Sequence, residues 1–304
     1  MTTPKHFLEV DDIDPARLRT LLDRAVEWKA DPSAVPRALR GHAVAALFEK
    51  PSARTRISIE VAVSTLGGHP IYVRGEEVGL DTRETVEDVA RTMAGMCSAI
   101  AARVFDHETL RRIVEVVDVS VINLLSDTAH PCQALADVLT MREHFGDLEG
   151  RRVVYVGDGN NVAASLAFAA ALTGLELVAA SPEGYALDPQ VVDRARNLGG
   201  TIELASDPHD AVRGADVVYT DVWTSMGQEE ERALRLRAFD GWMVDGTLMK
   251  EADDHAVFMH CLPAHRGEEV AGEVIDGPQS LVWPQAANRM HAARALFVDL
   301  MEGA

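Results

Sequence analysis

The segment VVYVGDGNNVAASLAFAAALTGLELVAA, residues 153–180, gives the clearest indication of how this chain folds. It begins with a valine-rich apolar run, turns at Gly157 and Gly159, continues through an alanine-rich stretch and ends in a second apolar run. Short β-branched runs separated by helix-forming stretches are typical of parallel strands joined by crossover helices. The segment therefore predicts a β–α–β unit and an α/β fold.

The same alternation continues on both sides of this segment. In the first half of the chain we predict helices at residues 15–29, 54–66, 84–96, 107–116 and 132–145. Strands are predicted there at residues 42–48, 70–73, 99–104 and 119–123. In the second half, strands are predicted at residues 153–156, 175–180, 201–204, 216–220 and 257–260, and a last helix at residues 285–301.

The chain length predicts two domains. At 304 residues, the chain exceeds what one hydrophobic core usually holds, and its 47% apolar and 25% charged residues are ordinary for a globular protein. Gly146 ends the helix predicted at residues 132–145, and residues 150–152 form a polar break before the next strand. We place the domain boundary there and expect two doubly wound domains, each with a mainly parallel sheet flanked by helices.

Composition excludes several function classes. The 48 acidic and 29 basic residues leave a formal net charge of −19, which disfavours nonspecific binding to nucleic acid or to an anionic membrane. The three cysteines are too widely spaced to predict a disulfide framework or a metal-ligand pattern. No basic stretch followed by an apolar run opens the chain, and no apolar segment reaches membrane-spanning length. We therefore expect a soluble cytoplasmic protein.

Ser52, Arg54 and Thr55 lie where the strand at 42–48 is expected to end and the next helix to begin. A helix N-terminus presents unpaired N–H groups and the positive end of the helix dipole, so hydroxyls and arginines there suit an oxyanion. The segment therefore predicts a phosphate site. The alternative is that Ser52 only caps the helix and that the arginines are solvated.

Two more polar clusters follow the strands at 99–104 and 119–123. Arg103 stands at the end of the first strand, and a loop with His130 and Gln133 follows the second. Taken alone, each is also compatible with an exposed or purely structural side chain. Because the carboxyl ends of parallel strands share one edge of a sheet, three such clusters favour one binding site.

The loop after the strand at 153–156 resembles a dinucleotide-binding fingerprint but does not match it. Val162 stands where the third glycine is required, and no ribose-binding acid ends the strand at 175–180. We interpret Gly157 and Gly159 as turn formers and expect Asn161 to point into a cleft.

The loop after the strand at 216–220 contains Asp221, Ser225, Met226 and Gly227. A carboxylate, a hydroxyl and a glycine-terminated loop suit the two ends of an amino acid. The alternative is a capped loop around a buried tryptophan.

Cys261 stands between His260 and His265, which raises the hypotheses of a nucleophilic thiolate and of a metal site. Neither is favoured, because sequence adjacency does not supply a base and one cysteine with two histidines lacks the usual ligand spacing. We interpret Cys261 as a residue packed beside a ligand. Arg289, on the last predicted helix, would by itself be an ordinary exposed arginine.

Together these motifs resemble the aspartate/ornithine transcarbamoylase family, most closely its ornithine-specific branch. Ser-x-Arg-Thr-Arg, His-Pro-Cys-Gln, Asp-Gly-Asn-Asn, Ser-Met-Gly, His-Cys-Leu-Pro-Ala-His-Arg-Gly and Asn-Arg occur in family order along nearly the whole chain. The resemblance implies a carbamoyl-phosphate-binding domain at residues 1–148 and an ornithine-binding domain at residues 149–284. It also implies that a C-terminal helix, residues 285–304, packs back on the first domain.

The resemblance also assigns roles to individual residues. The carbamoyl-phosphate pocket would consist of Ser52, Ala53, Arg54, Thr55, Arg103, His130, Gln133, Cys261, Leu262 and Arg289. Ornithine would bind to Asn161, Asp221, Ser225 and Met226. The catalytic residues would be Arg54, Thr55, Arg103, His130 and Cys261, with Cys261 close to the ornithine amine but not a covalent catalyst.

The implied reaction transfers the carbamoyl group of carbamoyl phosphate to the side-chain amine of L-ornithine, giving L-citrulline and phosphate in arginine metabolism. It needs no metal, nucleotide cofactor or covalent intermediate, and the family resemblance implies a homotrimer or a multiple of trimers. Ala53 departs from the threonine usual in the family, which removes a hydroxyl but keeps the backbone N–H.

Alternatives remain open at this stage. Within the family the nearest rival is an aspartate-specific enzyme, which would need extra cations for a dicarboxylate, whereas Asp221 suits a cationic amino acid. Enzymes that use putrescine, agmatine or acylated ornithine are harder to exclude. Two alternatives come from other classes of protein. The turn at Gly157 is compatible with a nicotinamide-dependent dehydrogenase, and the amino-acid motifs are compatible with a non-catalytic binding protein.

Overall fold

The computed structural model describes residues 6–224 and 229–302 and divides into two compact units. The first unit comprises Met1–Leu139 and Ala287–Ala304, and the second comprises Thr140–Ala286. None of the helices in the described ranges combines the length and the apolar character needed to cross a membrane.

The first unit is built on a four-stranded parallel sheet in the order β2-β1-β3-β4. Its strands are β1 (Ala43–Phe48), β2 (His69–Arg74), β3 (Ala99–Arg103) and β4 (Ser120–Leu125). The helices are α1 (Pro15–Ala30), α2 (Ala53–Thr65), α3 (Gly75–Val78), α4 (Val86–Ala94), α5 (His107–Val116) and α6 (Pro131–Phe145), the last of which runs past the unit boundary. Two 3-10 turns lie at Val10–Asp12 and Pro32–Ala34.

The second unit is built on a five-stranded parallel sheet in the order β7-β6-β5-β8-β9. Its strands are β5 (Arg152–Val156), β6 (Glu176–Ala180), β7 (Thr201–Ala205), β8 (Val217–Thr220) and β9 (Val257–His260). The helices are α7 (Asn161–Thr173), α8 (Pro189–Asn197), α9 (Pro208–Ala211), α10 (Arg232–Ala238), α11 (Gly246–Met249), α12 (Gly272–Ile275) and α13 (Val282–Glu302), with a 3-10 turn at Glu229–Glu231. The last helix continues into the first unit from Ala287 onward.

The predicted fold class is confirmed, because both sheets are parallel and each strand order reverses direction at an internal point. In the first unit the reversal lies between β1 and β3, and in the second between β5 and β8. Ligands of open α/β sheets bind beyond the carboxyl ends of the strands at such reversals. The loops after these four strands are therefore the places where each unit is expected to hold a ligand.

Most predicted elements are found, with shifted ends. The helix predicted at 84–96 is shorter, because the Thr85 hydroxyl accepts a hydrogen bond from the Asp88 N–H at 3.2 Å and starts the helix at Val86. The last helix begins earlier than predicted, at Val282. Helices α8 and α10 and the four-residue helices α3, α9, α11 and α12 were not predicted. The four-residue helices are single turns, which carry no hydrophobic period.

Candidate active site

Ser52 caps helix α2 in the first unit. Its hydroxyl accepts from the Thr55 N–H at 3.4 Å and donates to the Thr55 hydroxyl oxygen at 3.0 Å. Ser52 therefore caps the helix, which is compatible with the predicted phosphate site, and the cap fixes Thr55, which is 1% exposed, at the start of the helix. Arg54 stays half-buried beside it, at the positive end of the helix.

Arg289 lies in a buried cluster with three residues that the sequence predicts to be functional. Its Nη2 donates to the Thr55 hydroxyl at 2.8 Å, and its Nη1 donates to the Gln133 side-chain oxygen and lies 3.4 Å from His130 Nε2. All four side chains are at most 6% exposed. We call Thr55, His130, Gln133 and Arg289 the Arg289 cluster; it shows that Arg289 is not the exposed helix residue that its position alone suggested.

The electrostatics of this cluster favour a neutral histidine among fixed cations. Burial, followed by the charges of Arg289, Arg103 and Arg54, holds the pKa of His130 well below its ordinary value. Arg103 ends β3, where the pairing with β4 shifts register, and is itself 5% exposed. A buried concentration of guanidinium groups is a local environment for an anion, although the chain as a whole carries a net charge of −19.

A second set of buried side chains holds the loop that carries His130, and sequence reasoning missed it. Ser126 Oγ contacts the His107 Nδ1 at 2.8 Å and accepts from the Ala129 N–H at 3.3 Å. The Asn123 amide donates to the same hydroxyl at 3.2 Å. These contacts fix both ends of the loop between β4 and α6, so the position of His130 is set from within the first unit.

Cys132 follows this loop but is not a nucleophile in this structure. Its thiol donates to the Asn123 carbonyl oxygen at 3.3 Å, and burial raises the pKa of the Cys132 thiol to about 12. The side chain therefore stays protonated at neutral pH and serves as packing.

The second unit places Asp221 between a thiol and an amide at the strand reversal. Cys261 Sγ donates to Asp221 Oδ1 at 2.9 Å, and the Asn160 amide donates to Asp221 Oδ2 at 3.0 Å. Asp221 and Cys261 are 5% and 8% exposed. We call Asp221, Asn160 and Cys261 the Asp221 cluster; it is a buried carboxylate whose two oxygens are both held.

Asn160 is a functional candidate that the sequence analysis missed in favour of its neighbour Asn161. The Asn160 side-chain oxygen accepts from the Val162 and Ala163 N–H groups and so caps α7, which leaves its amide for Asp221. Asn161 is the first residue of that helix and is half-buried. Gly159 is required beside them, because a Cβ there would lie 2.4 Å from the Leu187 nitrogen.

The loop after β9 is fixed through His260. Its Nδ1 accepts from the Leu262 N–H at 2.8 Å, which puts the ring proton on Nε2, where it lies 3.2 Å from Glu269 Oε1. The backbone N–H of His260 donates to Gln285 at 2.9 Å. Both ring nitrogens thus have partners other than Cys261, which argues against the histidine serving as the base of a nucleophilic cysteine.

Asp158 and Arg235 support the loop that follows β8. Arg235 Nη1 donates to Asp158 at 2.7 Å and to the Trp223 carbonyl oxygen at 3.0 Å. Burial raises the pKa of Asp158, and the neighbouring Arg235 charge opposes that rise. This pair was not predicted, since its members lie far apart in sequence. Ser225 and Met226, predicted to bind ornithine, lie outside the described residues.

Comparisons with known proteins agree over the whole chain. Residues 5–143 match the family model described as the aspartate/ornithine carbamoyltransferase carbamoyl-P binding domain, and residues 149–300 match its Asp/Orn binding domain. The chain belongs to the aspartate/ornithine carbamoyltransferase family.

Several relatives of this carbamoyltransferase are similar over nearly their full length. The ornithine carbamoyltransferase of Acidothermus cellulolyticus is 49% identical, covering 99% of this chain and 97% of the relative. The anabolic ornithine carbamoyltransferase of Pyrococcus furiosus is 49% identical over 88% of this chain and 86% of its own. A solved ornithine carbamoyltransferase structure from Pyrococcus furiosus has a TM-score of 0.94 at 45% identity, covering 100% of this chain and 99% of that chain.

Within this carbamoyltransferase, the predicted site residues fall into two groups. Ser52, Arg54, Thr55, Arg103, His130, Gln133 and Arg289 belong to the first unit, and Asn161, Asp221, Cys261 and Leu262 belong to the second. Arg289 contacts Thr55, His130 and Gln133, and Cys261 contacts Asp221. Ala53, at the start of α2, is exposed and brings only its backbone and methyl group to this loop.

Proposed function

We propose that this chain is an ornithine carbamoyltransferase: it transfers the carbamoyl group of carbamoyl phosphate to the side-chain amine of L-ornithine, releasing L-citrulline and phosphate. The observation that carries the proposal is the Arg289 cluster, a buried guanidinium held against a hydroxyl, an imidazole and an amide in a chain of this family. Planar guanidinium groups bind phosphate with two parallel hydrogen bonds.

Carbamoyl phosphate is assigned to the first unit. Ser52, Arg54, Thr55 and the N–H of Ala53 would bind its phosphate at the start of α2, where the helix dipole adds positive potential. Arg103, His130, Gln133 and Arg289 would surround the carbamoyl group and the bridging oxygen. Because these side chains are already oriented by hydrogen bonds, little reorganisation would accompany the reaction.

His130 would act as a neutral hydrogen-bond donor to the carbamoyl oxygen. Burial, followed by the cations around it, holds the pKa of His130 well below the ordinary value, so the ring is neutral at neutral pH. As the ornithine amine attacks the carbamoyl carbon, negative charge grows on the carbonyl oxygen and on the departing phosphate. His130, Thr55 and Arg103 would stabilise the first charge, and Arg54 with Arg103 the second.

Ornithine is assigned to the second unit, to Asn161, Asp221, Ser225 and Met226. The Asp221 carboxylate would face the α-ammonium group of ornithine, and the contact from Asn160 supports its orientation. Cys261 would lie beside the side-chain amine without forming a covalent bond. Its thiol donates to Asp221, and both ring nitrogens of His260 contact other groups. The mechanism uses no metal and no nucleotide.

A homotrimer is the assembly we propose. The first unit supports self-association through an apolar surface on its sheet edge: Ile57 and Val61, one turn apart on α2, are 61% and 40% exposed, and Ile71 on edge strand β2 is 38% exposed. Exposed apolar residues beside an open strand edge are usually covered by a partner. Sedimentation of the full chain would give three times the monomer mass.

A cytoplasmic, biosynthetic role fits the remaining features. The cysteines Cys97, Cys132 and Cys261 are free and buried, which suits a reducing compartment. Nucleic acids and membranes are not expected partners, given the net charge of −19. Synthesis of citrulline for arginine production is the direction we propose, and the relative from Pyrococcus furiosus named anabolic supports it.

The test is a citrulline assay with carbamoyl phosphate and four amines in parallel: ornithine, putrescine, aspartate and N-acetylornithine. We expect product from ornithine in preference to the others. Activity with aspartate or N-acetylornithine alone would show that the proposed substrate is wrong and that the chain is another member of the same family. Quenching or enhancement of NADH fluorescence on titration with the chain would instead favour a dehydrogenase. The absence of carbamoylation of any of the four amines would favour a non-catalytic binding protein.

A further inference from the structure

The loop that follows β9 brings a second group of potential ligands together, outside the residues assigned to substrates. His265, Glu268 and Glu269 each offer one ligand atom, and these atoms lie within 4.8 Å of one another. His265 Nδ1 is 3.9 Å from Glu269 Oε2 and 4.0 Å from Glu268 Oε2. One imidazole nitrogen and two carboxylate oxygens therefore lie close enough together to share one ion.

Glu269 is the member of this group that most needs a partner. The residue is 1% exposed. Its Oε1 contacts the His260 ring and accepts from the His265 N–H at 2.5 Å, but its Oε2 has no hydrogen-bond partner among the described residues. An unpaired buried carboxylate oxygen is costly, and the cost disappears when a cation coordinates it.

We propose that His265, Glu268 and Glu269 form a divalent-cation site in this loop. One imidazole nitrogen and two carboxylate oxygens are a ligand set for borderline metals such as Zn²⁺ or Mn²⁺. Ligands about 2.1 Å from a tetrahedral metal lie roughly 3.4 Å apart. Each contact of His265 Nδ1 would therefore need to shorten by about 0.5 Å, and the two carboxylate oxygens, at most 4.8 Å apart, by up to about 1.4 Å. His265 is about half exposed, which leaves room for water to complete the coordination.

Neighbouring charges are compatible with one bound cation. Arg232 donates to Glu268 Oε1, so this carboxylate is already oriented by a surface contact while its Oε2 faces His265. The Oε1 of Glu269 keeps its two contacts, and only Oε2 would bind the ion. The site would thus form without breaking an existing hydrogen bond of Glu269.

A cation here would stiffen the loop that carries Cys261 and Leu262. Glu269 contacts the His260 ring, and the other nitrogen of that ring accepts from the Leu262 N–H. Fixing Glu269 therefore fixes the backbone beside Cys261 through two successive contacts. The role is structural, and the inference does not depend on which reaction the chain catalyses.

The test is titration of the purified, metal-free chain with Mn²⁺, followed by the electron paramagnetic resonance signal of the free ion. Mn²⁺ is chosen because it prefers oxygen and imidazole ligands and avoids thiols, so it discriminates against the buried thiol-containing group of Asp221, His260 and Cys261. We expect the wild-type chain to bind one equivalent, and Mn²⁺ to raise its melting temperature.

His265→Ala and Glu268→Gln should each weaken Mn²⁺ binding by at least about ten-fold and abolish the rise in melting temperature. Glu273→Gln, which changes an exposed carboxylate on the nearby helix α12, is the matched control and should bind as the wild type does. Two variants are used so that failure of one to fold, detected by circular dichroism, leaves the other. A wild-type chain that binds no Mn²⁺, or variants that bind it unchanged, would overturn the proposal, whether or not citrulline is formed.

Discussion

The two candidate ligand clusters share a position in the fold and differ in charge. Each includes residues beyond the carboxyl ends of strands at the reversal of strand order: Thr55 follows β1, and Asn160 and Asp221 follow β5 and β8. The Arg289 cluster is built around guanidinium groups and a histidine that burial and those cations keep neutral. The Asp221 cluster is built around a carboxylate held by an amide and a thiol. The same architecture thus prepares one unit for an anion and the other for a cation.

This contrast explains how a chain with a net charge of −19 can use an anionic substrate. Charges separated by more than about 8 Å are largely screened at physiological ionic strength, so the local cluster decides what binds. The excess of acidic residues sets the net charge of the chain, whereas the buried arginines of the first unit set the local charge of the candidate site. The predictions below separate the two clusters experimentally.

Arg289→Gln should have the largest effect. It removes a guanidinium that contacts Thr55, Gln133 and His130, and we expect kcat/KM to fall by about 10³-fold or more, because preorganised donors to developing charge are lost. Steady-state citrulline formation measures this. Arg19→Gln, on the exposed face of α1, is the control and should be unchanged; an equal loss in both variants would mean that net charge matters rather than the cluster.

Asp221→Asn should mainly affect the amino acid. Losing a charge-assisted contact to the ammonium group should raise the KM for ornithine by about 10- to 100-fold while leaving the KM for carbamoyl phosphate within a few-fold. Asp240→Asn, an exposed carboxylate in the same unit, serves as the comparison. If the variant instead altered only the KM for carbamoyl phosphate, the assignment of the clusters would be reversed.

The pH dependence of stability should report on the first unit. The folded-state pKa values of His130 and His107 are lowered, in both cases chiefly by burial. Below the unfolded value near 6.5 the unfolded chain therefore binds protons that the folded chain excludes, and stability falls as the pH falls. Between pH 6.5 and 5 each histidine contributes a slope of up to about 1.4 kcal/mol per pH unit.

Urea unfolding at successive pH values measures that slope. His130→Asn should flatten it, whereas His144→Asn, at an exposed position on α6, should leave it unchanged. A wild-type stability that is constant from pH 6.5 to 5 would show that these histidines are protonated as easily in the folded chain as in the unfolded one.

Asn160→Ala should have the smallest effect. It tests two roles of one side chain, the cap of α7 and the contact with Asp221. Loss of the α7 cap should reduce the free energy of unfolding by about 1 kcal/mol. Loss of the contact to Asp221 should also raise the KM for ornithine several-fold. Asp14→Ala removes a comparable cap, that of α1, in the first unit and so outside the unit that contains Asp221. It should destabilise similarly without changing KM; a shared change in KM would remove Asn160 from the site.

Sequence patterns predicted the strands and most of the longer helices, because apolar periodicity and capping residues are local. Helix α8 was missed although Asp188 caps it. The helix His107–Val116 begins where Asp106 caps it, and β9 coincides with an apolar run that ends at His260. One-turn helices such as Gly246–Met249 have no period to detect. Their positions follow from packing, which a single sequence does not express.

The site was predictable as a set of motifs but not as a set of contacts. Asn160 and Asn161 are equivalent in sequence, and only the start of α7 decides which amide reaches Asp221. The links from Glu269 to His260 and from Arg235 to Asp158 join residues that no local pattern pairs. Only the family resemblance assigned Arg289 to the carbamoyl-phosphate pocket. Its contacts with Thr55 and Gln133 are formed by the fold of the first unit.

The most direct test of the central claim is calorimetric titration of carbamoyl phosphate into the wild-type, Arg289→Gln and Asp221→Asn chains without ornithine. We expect wild-type affinity in Asp221→Asn and loss of measurable binding in Arg289→Gln, because the cations assigned to the anion, Arg54, Arg103 and Arg289, all belong to the first unit. Undiminished binding in Arg289→Gln, or loss of binding in Asp221→Asn with its fold intact, would contradict this assignment of the anion.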